Sequence, residues 1–540
     1  MHGLLCYISF DYIFHKNREW RIFMRTPELA ALICYFVLVL SIGVYFFIKS
    51  LNKKANAGNE KEYFLGGRQM NGWVSALSAG ASDMSAWVLM GLPGAIYLSG
   101  VGQVWIAVGL LLGTIAAWIW VAPTLRRYSI VAGDAITIPQ FLTQRFCTQN
   151  KAIMVVSALV FVVTYCIYTA ASLHACGTLF NTVLGTDPRK AMIAASIIIV
   201  IYTFLGGYNA VCWTDFFQGM LMLGALMLIP ILAVSMMQSS SFAAPSVTIP
   251  ENYYNFLSSG KADWKSFADI LTGLGWGLGY FGMPHILIRY FSVKSEHEMK
   301  KSRVIGCTWL TLILLATTAV GLVGRKFLGD VLSIKDAAGK DKSDLIFVEM
   351  VRNVFDWIGS TTGLVMLAIF FAGILLSAIL AAAMSTADSQ LLASASAFAS
   401  DLYKPLFRKN ASDKEMLWAG RIVVIVIAAA AFFIAASPSC KGLMALVSCA
   451  WGAFGAAFGP VILLSLFWRR MTYAGAFAGI VVGFVVDALW YIFLAQCTGI
   501  YEIIPGFVAG LLAAVIVSLL TKRPSLDVMM LFEKSRNPQD

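Results

Sequence analysis

The chain has 540 residues, of which 59% are hydrophobic and 13% charged, and its formal net charge is +11. So large an apolar fraction excludes an ordinary soluble protein, and the apolar runs that recur along the chain predict a polytopic helical membrane protein. The basic residues stand in short loops between these runs, which fits control of membrane topology and argues against nucleic-acid binding. The ten cysteines form no C-x-x-C pair, so neither a zinc site nor a disulfide framework is expected.

The apolar runs predict thirteen membrane-spanning helices. The predicted spans are residues 28–49, 72–98, 102–123, 153–182, 191–208, 211–236, 266–291, 304–324, 361–397, 417–436, 443–467, 473–495 and 503–521. Residues 1–27 are expected to be an N-terminal extension that is either disordered or an over-called start, with Met24 as the more natural first residue. Lys and Arg are more frequent in one set of alternate loops, which predicts an N-terminus outside the cytoplasmic membrane and a C-terminus inside it.

Two spans contain residues that a lipid-facing helix avoids. Residues 77–94, LSAGASDMSAWVLMGLPG, carry an aspartate, hydroxyl residues, glycines and a proline, and residues 273–284, GLGWGLGYFGMP, carry five glycines and a proline. Such interruptions are tolerated where a helix is broken inside a protein bundle and lines a watered cavity. The alternative at each is a glycine-rich face for close helix packing.

The two interruptions fall in the first helices of two consecutive five-helix units, which is the pattern of a transporter built from repeats. The predicted organisation is a peripheral first helix with its loop (28–71), a first repeat (72–236), a second repeat (266–467), two peripheral helices (473–521) and a short cytoplasmic tail (522–540).

A sodium site is predicted where the first interruption meets the ninth span. Na⁺ is a hard cation that takes neutral carbonyl and hydroxyl oxygens, and an unwound helix exposes carbonyls such as those of Ala81 and Met84. In the ninth span the carbonyl of Ala382 and the hydroxyls of Ser385 and Thr386 share a helix face. The alternative for this Ser–Thr pair is a local hydrogen bond to the preceding turn.

Acidic residues within spans are few and therefore informative. Asp83 lies beside the predicted sodium carbonyls. Asp215 and Asp388 are predicted to form part of a second cation site with Ser385 and Ser389. For Asp215 the alternative is a position at the cytoplasmic interface.

Aromatic residues on the second interrupted span predict a solute site. Trp276 and Tyr280 are four residues apart, so they can pack a small solute between flat faces, and Tyr168 is a further candidate. Arg289 is expected to snorkel or to pair with an acid. His174 and His285 are expected to be core or interface residues.

Proteins of other classes must be weighed against a transporter. Gly80-Ala81-Ser82-Asp83 partly matches the G-x-S-x of an intramembrane serine protease with His174 or His285 as base, but Asp stands where that motif has Gly. A channel would need a pore loop or a ring of charges, and neither is visible. A transporter-like sensor would need an output domain, and the tail after Lys522 is too short for one.

These motifs together resemble the sodium/solute symporter family, and within it the bacterial sodium/proline symporters. The segments that carry the resemblance are YFLGGRQMNGWVSALSAGASDMSAWVLMGLPGAIYLSG, IYTFLGGYNAVCWTDFFQ, GWGLGYFGMPHIL, LLSAILAAAMSTADSQLL, WGAFGAAFGPVILLSLFWRRMT and YEIIPGF. The resemblance implies thirteen helices around a LeuT-like core of two inverted five-helix repeats with discontinuous first helices.

The resemblance also implies roles for particular residues. Na⁺ would be the co-transported ion, with no organic cofactor, and the substrate would be a small molecule, L-proline or another small amino or organic acid. The positions that match the family's sodium ligands are Ala81, Met84, Ala382, Ser385 and Thr386, and those that match its proline site are Ser85, Tyr168, Trp276, Tyr280 and Pro284. Asp83 matches a coupling aspartate, and Asp215 matches an acid used in transport and in some members for a further sodium.

Two positions depart from the proline transporters. Ala86 stands where they carry Gly, and Met283 precedes Pro284 where they carry Gln. Losing an amide beside the substrate removes hydrogen-bonding capacity, so the exact solute stays open. The sequence leaves the sodium stoichiometry and the oligomeric state open as well.

Overall fold

The computed structural model describes residues 18–52, 60–240, 242, 244–334, 341–440 and 442–536, and these fold almost entirely into helices. In chain order the α-helices are α1 (Arg18–Asn52), α2 (Glu60–Leu65), α3 (Gly72–Asp83), α4 (Gly91–Ser99), α5 (Val104–Ala116), α6 (Ala122–Val131), α7 (Ile138–Arg145), α8 (Ala152–Leu184), α9 (Pro188–Met237), α10 (Trp264–Gly275), α11 (Pro284–Ser292), α12 (Glu296–Leu328), α13 (Ile346–Thr362), α14 (Val365–Ala397), α15 (Asp413–Ala435), α16 (Leu443–Phe467), α17 (Tyr473–Phe493), α18 (Ala495–Thr498), α19 (Ile503–Leu520) and α20 (Leu526–Lys534). Residues 1–17 of the predicted N-terminal extension lie outside the described residues, and the rest of that segment is the start of α1.

Ten helices in the described part of the chain are long and apolar enough to cross a membrane. The two interrupted helices explain part of the difference from thirteen, because their halves are short: α3 has 12 residues and α10 has 12. Large apolar side chains on the outside of the bundle, such as Phe433 and Leu520, are exposed, as expected for a surface that lipid covers. The number of thirteen crossings stays a prediction.

The first interruption separates α3 from α4. Helix α3 begins after Asn71, whose side-chain oxygen accepts from the Val74 N–H at 2.9 Å. It ends at Asp83, because Met84 leaves the helical region at ψ 72° and Ser85 is extended. A short 3₁₀ turn, Ala86–Val88, leads into α4.

The second interruption separates α10 from α11. Asp263 caps the start of α10 by accepting from the Ser266 N–H at 2.9 Å. The α-helix ends at Gly275, continues as the 3₁₀ segment Trp276–Phe281 and restarts at Pro284, whose ring suits the first turn of a helix.

Glycines at this second break also allow close packing. A Cβ at Gly279 would lie 2.0 Å from the Trp451 indole nitrogen. On the opposite side, Gly109 and Gly113 of α5 meet the backbone of Gly273 and Gly277 directly. The breaking of the helix and the close packing, weighed above as alternatives, are both present here.

Helix α9 covers the fifth and sixth predicted spans, and its regular geometry is lost at Gly207, which has φ 57° and ψ −158°. This left-handed φ favours glycine. A Cβ there would also lie 2.8 Å from the Tyr63 ring. Gly207 lies at the end of the fifth predicted span, and it is the point where α9 bends.

The interrupted helices lie at the centre of the bundle. Helix α3 packs against α9, α11, α12 and α14, and the 3₁₀ segment of the second break packs between α5 and α16. Helix α14 packs against α1, α8 and α9. Helices α17 and α19 pack on each other and on α16, so they flank the second break from one side.

The close contact at α5 gives a test of the packing. We expect Gly109→Ala to lower the free energy of unfolding by about 1–3 kcal/mol, since its Cβ would lie 2.3 Å from the Gly273 carbonyl oxygen, which is backbone and cannot rotate away. Thermal unfolding of the detergent-solubilised protein measures the change.

The matched control is Gly224→Ala in α9, where a Cβ meets nothing within 4 Å. It should leave stability unchanged or raise it by about 0.5–1 kcal/mol. Equal destabilisation by both alanines would contradict the close contact.

Candidate functional site

The first break and helix α14 bring three oxygens together. The Ser385 hydroxyl donates to the Ala81 carbonyl at 2.8 Å and lies 3.2 Å from the Ala382 carbonyl. The Ala81 carbonyl does not accept the helical hydrogen bond from the Ser85 N–H, because that N–H donates to the backbone carbonyl of Asp83 at 2.9 Å. We call the Ala81 carbonyl, the Ala382 carbonyl and the Ser385 hydroxyl the oxygen cluster.

Two further predicted ligands belong to the same segments. The Thr386 hydroxyl is fully buried and has no hydrogen-bond partner, so the local bond considered for the Ser–Thr pair is made by Ser385 and not by Thr386. Met84 is also buried. It follows the last residue of α3, and the carbonyls in the last turn of a helix have no N–H donor within that helix. A buried hydroxyl without a partner costs about 1–3 kcal/mol, which a bound ligand would recover.

Asp83 joins the two interrupted helices. The Tyr280 hydroxyl donates to Asp83 Oδ2 at 2.5 Å, and both side chains are almost completely buried. The other oxygen, Asp83 Oδ1, has no hydrogen-bond partner. This contact ties the end of α3 to the 3₁₀ segment after α10.

Trp276 lies in a group of aromatic rings. Its ring centroid is 5.1 Å from that of Tyr501, 6.0 Å from that of Trp87 and 6.4 Å from that of Trp451. The Trp451 indole N–H also donates to the Trp276 carbonyl at 2.8 Å, and Tyr280 packs edge-on against Trp451 at 5.3 Å. The aromatic faces around Trp276 therefore come from four parts of the chain: the two 3₁₀ segments, α16 and the loop before α19.

Sequence reasoning did not assign Trp87, Trp451 or Tyr501 to this site. The segments WGAFG and YEIIPGF that contain the last two were recognisable as motifs, but nothing in their spacing showed that they meet Trp276 across the bundle.

The remaining predicted solute residues supply polar atoms. The hydroxyls of Ser85 and Tyr168 are buried and neither has a hydrogen-bond partner. Pro284 is buried at the first turn of α11 and has no N–H to donate to a carbonyl of the preceding segment. Two unpartnered hydroxyls beside aromatic faces suit a small solute with one polar and one apolar end.

The place predicted for a second cation contains a guanidinium. Arg289 forms an ion pair with Asp215 at 3.2 Å and also donates to the Ser389 hydroxyl, which in turn donates to Asp388 at 3.2 Å. Ser78 donates to the same Asp215 oxygen at 2.6 Å. Asp215 is fully buried, and Arg289 pairs with an acid, which is one of the two expectations stated for it.

The arrangement of a serine protease is not present at Ser82. Its hydroxyl donates to the Ala79 carbonyl at 3.2 Å, whereas His285 Nδ1 lies 3.4 Å from the Tyr165 hydroxyl. His174 lies at another place, with its Nδ1 3.9 Å from the Cys440 sulfur. Within the described ranges no group of three His, Cys, Asp or Glu side chains could hold a metal ion.

Comparison with known proteins identifies the family to which the chain belongs. The profile of the Sodium:solute symporter family matches residues 63–483. The chain is 40% identical over 513 residues to the sodium/proline symporter of Escherichia coli strain K12, which covers 95% of this chain and 97% of that protein. It is 38% identical over 511 residues to the osmoregulated proline transporter OpuE of Bacillus subtilis strain 168, covering 94% and 98%.

Among solved structures, the substrate-bound outward-open state of a Na⁺-coupled sialic acid symporter matches with a TM-score of 0.72 at 20% identity, covering 92% of this chain and 99% of that chain. At this identity the likeness concerns the fold alone. It confirms the predicted fold class, an all-helical membrane protein with a LeuT-like core.

The buried ion pair gives a prediction about stability. We expect Arg289→Gln to lower the free energy of unfolding by about 3–5 kcal/mol, because it leaves Asp215 as an uncompensated buried carboxylate. Adding Asp215→Asn to that variant should recover part of the loss. Chemical denaturation in detergent micelles measures the free energy of unfolding of the wild type and of both variants.

Arg408→Gln is the control, because the Arg408 side chain is 63% exposed in its ion pair with Glu415. It should cost less than about 1 kcal/mol. If Arg289→Gln lowered the free energy of unfolding as little as the control does, the buried ion pair would not contribute to stability.

Proposed function

Because the chain belongs to the Sodium:solute symporter family, we propose that it imports L-proline together with Na⁺ across the cytoplasmic membrane by alternating access. The substrate rests on the curated relatives, which are named as proline transporters. The mechanism rests on one observation above all, the oxygen cluster that joins a broken helix to α14. Symport involves no covalent chemistry, and the chain is a transporter and not an enzyme.

The sodium site proposed here consists of the oxygen cluster with the Met84 carbonyl and the Thr386 hydroxyl. In the hydrogen-bonded arrangement Ser385 bridges the two carbonyls with its proton. A bound Na⁺ would replace that proton as the bridge, since the hydroxyl can turn its lone pairs toward the ion. Na⁺ would thereby fasten the end of α3 to α14.

The solute site proposed here lies between Trp276 and Tyr280 on one side and Ser85 and Tyr168 on the other, with Pro284 at its end. The apolar ring of proline would pack on the aromatic faces, and its carboxylate and ammonium would use hydroxyls and the carbonyls of the broken helices. The Met283 thioether has no amide to offer a solute, and Ala86 narrows the turn after Ser85, so another small amino or organic acid is the alternative substrate.

Coupling follows from the contact between Asp83 and Tyr280. Asp83 directly precedes Met84 of the proposed sodium site, and Tyr280 belongs to the proposed solute site, so ordering one side orders the other. By linkage each ligand must then tighten the other's binding by the same factor. The membrane potential adds about 2.3 kcal/mol per 100 mV for each charge that enters.

Asp215, Asp388 and Ser389 are proposed to hold positive charge close to the sodium site. The Arg289 guanidinium supplies that charge in the present arrangement. A second Na⁺ could bind there only after Arg289 withdraws from Asp215.

The proposed organisation keeps the two repeats at 72–236 and 266–467, the peripheral segments 28–71 and 473–521 and the tail 522–540. The proposed orientation has the N-terminus outside and the C-terminus inside, and the excess of basic residues in one set of loops supports it.

The function is tested by uptake of labelled L-proline into proteoliposomes that contain the purified protein. We expect accumulation only when an inward Na⁺ gradient is imposed, with a further increase when the interior is made negative. Unlabelled acetate, pantothenate and glucose serve as competitors, each with its own labelled uptake.

Sodium-dependent uptake of a competitor but not of proline would replace the substrate and keep the symport mechanism. Uptake of proline that is indifferent to Na⁺ would contradict the proposed coupling.

Two substitutions separate the proposed sites. Thr386→Ala should raise the Na⁺ concentration for half-maximal uptake about fivefold, since one ligand contributes on the order of 1 kcal/mol, and should leave the KM for proline unchanged at saturating Na⁺. Trp276→Ala should raise the KM for proline about tenfold or more, because an aromatic face of the solute site is lost. Uptake kinetics at varied Na⁺ and proline measure both values.

The controls resemble the variants but lie elsewhere. Thr318→Ala removes a hydroxyl that bonds within its own helix, and Trp120→Ala removes an indole that is 61% exposed. Changes in the controls as large as those in the site variants would remove the assignment of the sites.

A further inference from the structure

Two acidic side chains, Asp487 and Glu502, lie together in the interior away from the oxygen cluster. Asp487 belongs to α17 and is 3% exposed, and Glu502 directly precedes α19 and is 5% exposed. Both approach the same backbone position: a Cβ at Gly452 of α16 would lie 2.9 Å from Asp487 Oδ1 and 3.6 Å from Glu502 Oε1. We call these two side chains the carboxyl pair.

One oxygen of each acid in the carboxyl pair is unsatisfied. Neither Asp487 Oδ1 nor Glu502 Oε1 has a hydrogen-bond partner, although both atoms are buried. In the portion of the chain that the structure describes, no Lys, Arg or His forms an ion pair with either carboxyl. Two ionised carboxylates held side by side in a dry interior repel each other, and each also loses its hydration.

The neighbouring groups cannot neutralise the pair. The α16 face presents Gly452, which has no side chain, and α19 presents Gly506, where a Cβ would lie 2.8 Å from the Asp487 Cβ. The titratable groups next to the pair are Tyr501, on which both acids act electrostatically, and Cys449 beyond it. The Tyr501 hydroxyl already donates to the Ser448 carbonyl at 2.7 Å and is not available to the acids.

We propose that the carboxyl pair is a proton-binding site in which one proton is held between Asp487 and Glu502. A single proton removes one of the two negative charges and gives the remaining carboxylate a donor, so it satisfies both unpartnered oxygens. A Na⁺ ion needs several oxygen ligands, whereas among the described residues the unpartnered carboxyl oxygens at this place are two, Asp487 Oδ1 and Glu502 Oε1.

This proton site is connected to Trp276 through a short loop. Tyr501, the residue before Glu502, packs on the Trp276 ring at 5.1 Å, and its N–H donates to the Thr272 hydroxyl of α10 at 3.1 Å. The Trp264 indole of the same helix donates to the Thr498 carbonyl at 3.1 Å. Loss of the proton would restore repulsion between the two acids and displace Tyr501 from Trp276.

Infrared difference spectroscopy of the purified protein tests the proton directly and does not depend on which solute is transported. The wild type at neutral pH is compared with the double variant Asp487→Asn, Glu502→Gln. We expect a carbonyl band of a protonated carboxylic acid that the wild type has and the double variant lacks, and we expect it to disappear on alkaline titration. The exposed outer-loop substitution Glu251→Gln is the control and should leave the band in place.

Identical spectra in this region for the wild type and the double variant would overturn the proposal. Binding of radioactive Na⁺ that the double variant alone loses, with no acid band, would replace the proton by a metal ion and also overturn it. If the double variant does not fold, Asp487→Asn serves, because the band of a shared proton must shift or vanish when one partner becomes an amide.

A second measurement tests the connection and rests on the proposed function. The KM for proline should rise on the order of fivefold as the external pH is made alkaline, and the rise should be absent in Asp487→Asn and present in Glu251→Gln. A pH-independent KM in the wild type, with the infrared band present, would refute the connection to Trp276 and leave the proton site standing. Absence of any proline uptake would instead concern only the proposed substrate.

Discussion

A helix that breaks inside a membrane must find new partners for its peptide groups, and the rest of this structure depends on how that requirement is met. At the first break the Ala81 carbonyl loses its helical partner and is taken up by Ser385 from another helix. The bond is a weak substitute, because the same hydroxyl also faces Ala382. In such an oxygen cluster a small cation can take the place of the hydroxyl proton that now bridges the two carbonyls.

The buried acids around the breaks are stabilised in three different ways. Asp215 is neutralised by Arg289, which belongs to the helix after the second break. Asp83 accepts a hydrogen bond from Tyr280 and, among the residues that the structure describes, has no cationic partner of this kind, so its charge stays available to attract a cation that binds nearby. Asp487 and Glu502 have neither in the described part of the chain, and both lie next to Gly452. The permanent charge at Arg289 therefore supports the fold, whereas Asp83 lies between the proposed sodium and solute sites.

Much of this could be predicted from the sequence, because the informative signals are local. Glycine, proline and a lone aspartate within apolar runs located both breaks, and the spacing of Ala382 and Ser385 on one helix face was sufficient to group their oxygens. The guanidinium at Asp215 could not be placed, because the reach of Arg289 depends on how α11 packs against α3 and α9. Trp451 and Tyr501 were missed for the same reason, since they meet Trp276 only across the bundle. The extent of the 3₁₀ segment was also hidden, because glycines permit several backbone forms.

The glycine contacts between α5 and the second break restrict how the bundle can move. At Gly109 and Gly113 two main chains touch without intervening side chains, so there is no rotamer that could change to let one slide past the other. Helix α5 must accompany the second break as a single rigid body. In the transport cycle α5 and the second break therefore move together, and any hinge lies outside this pair.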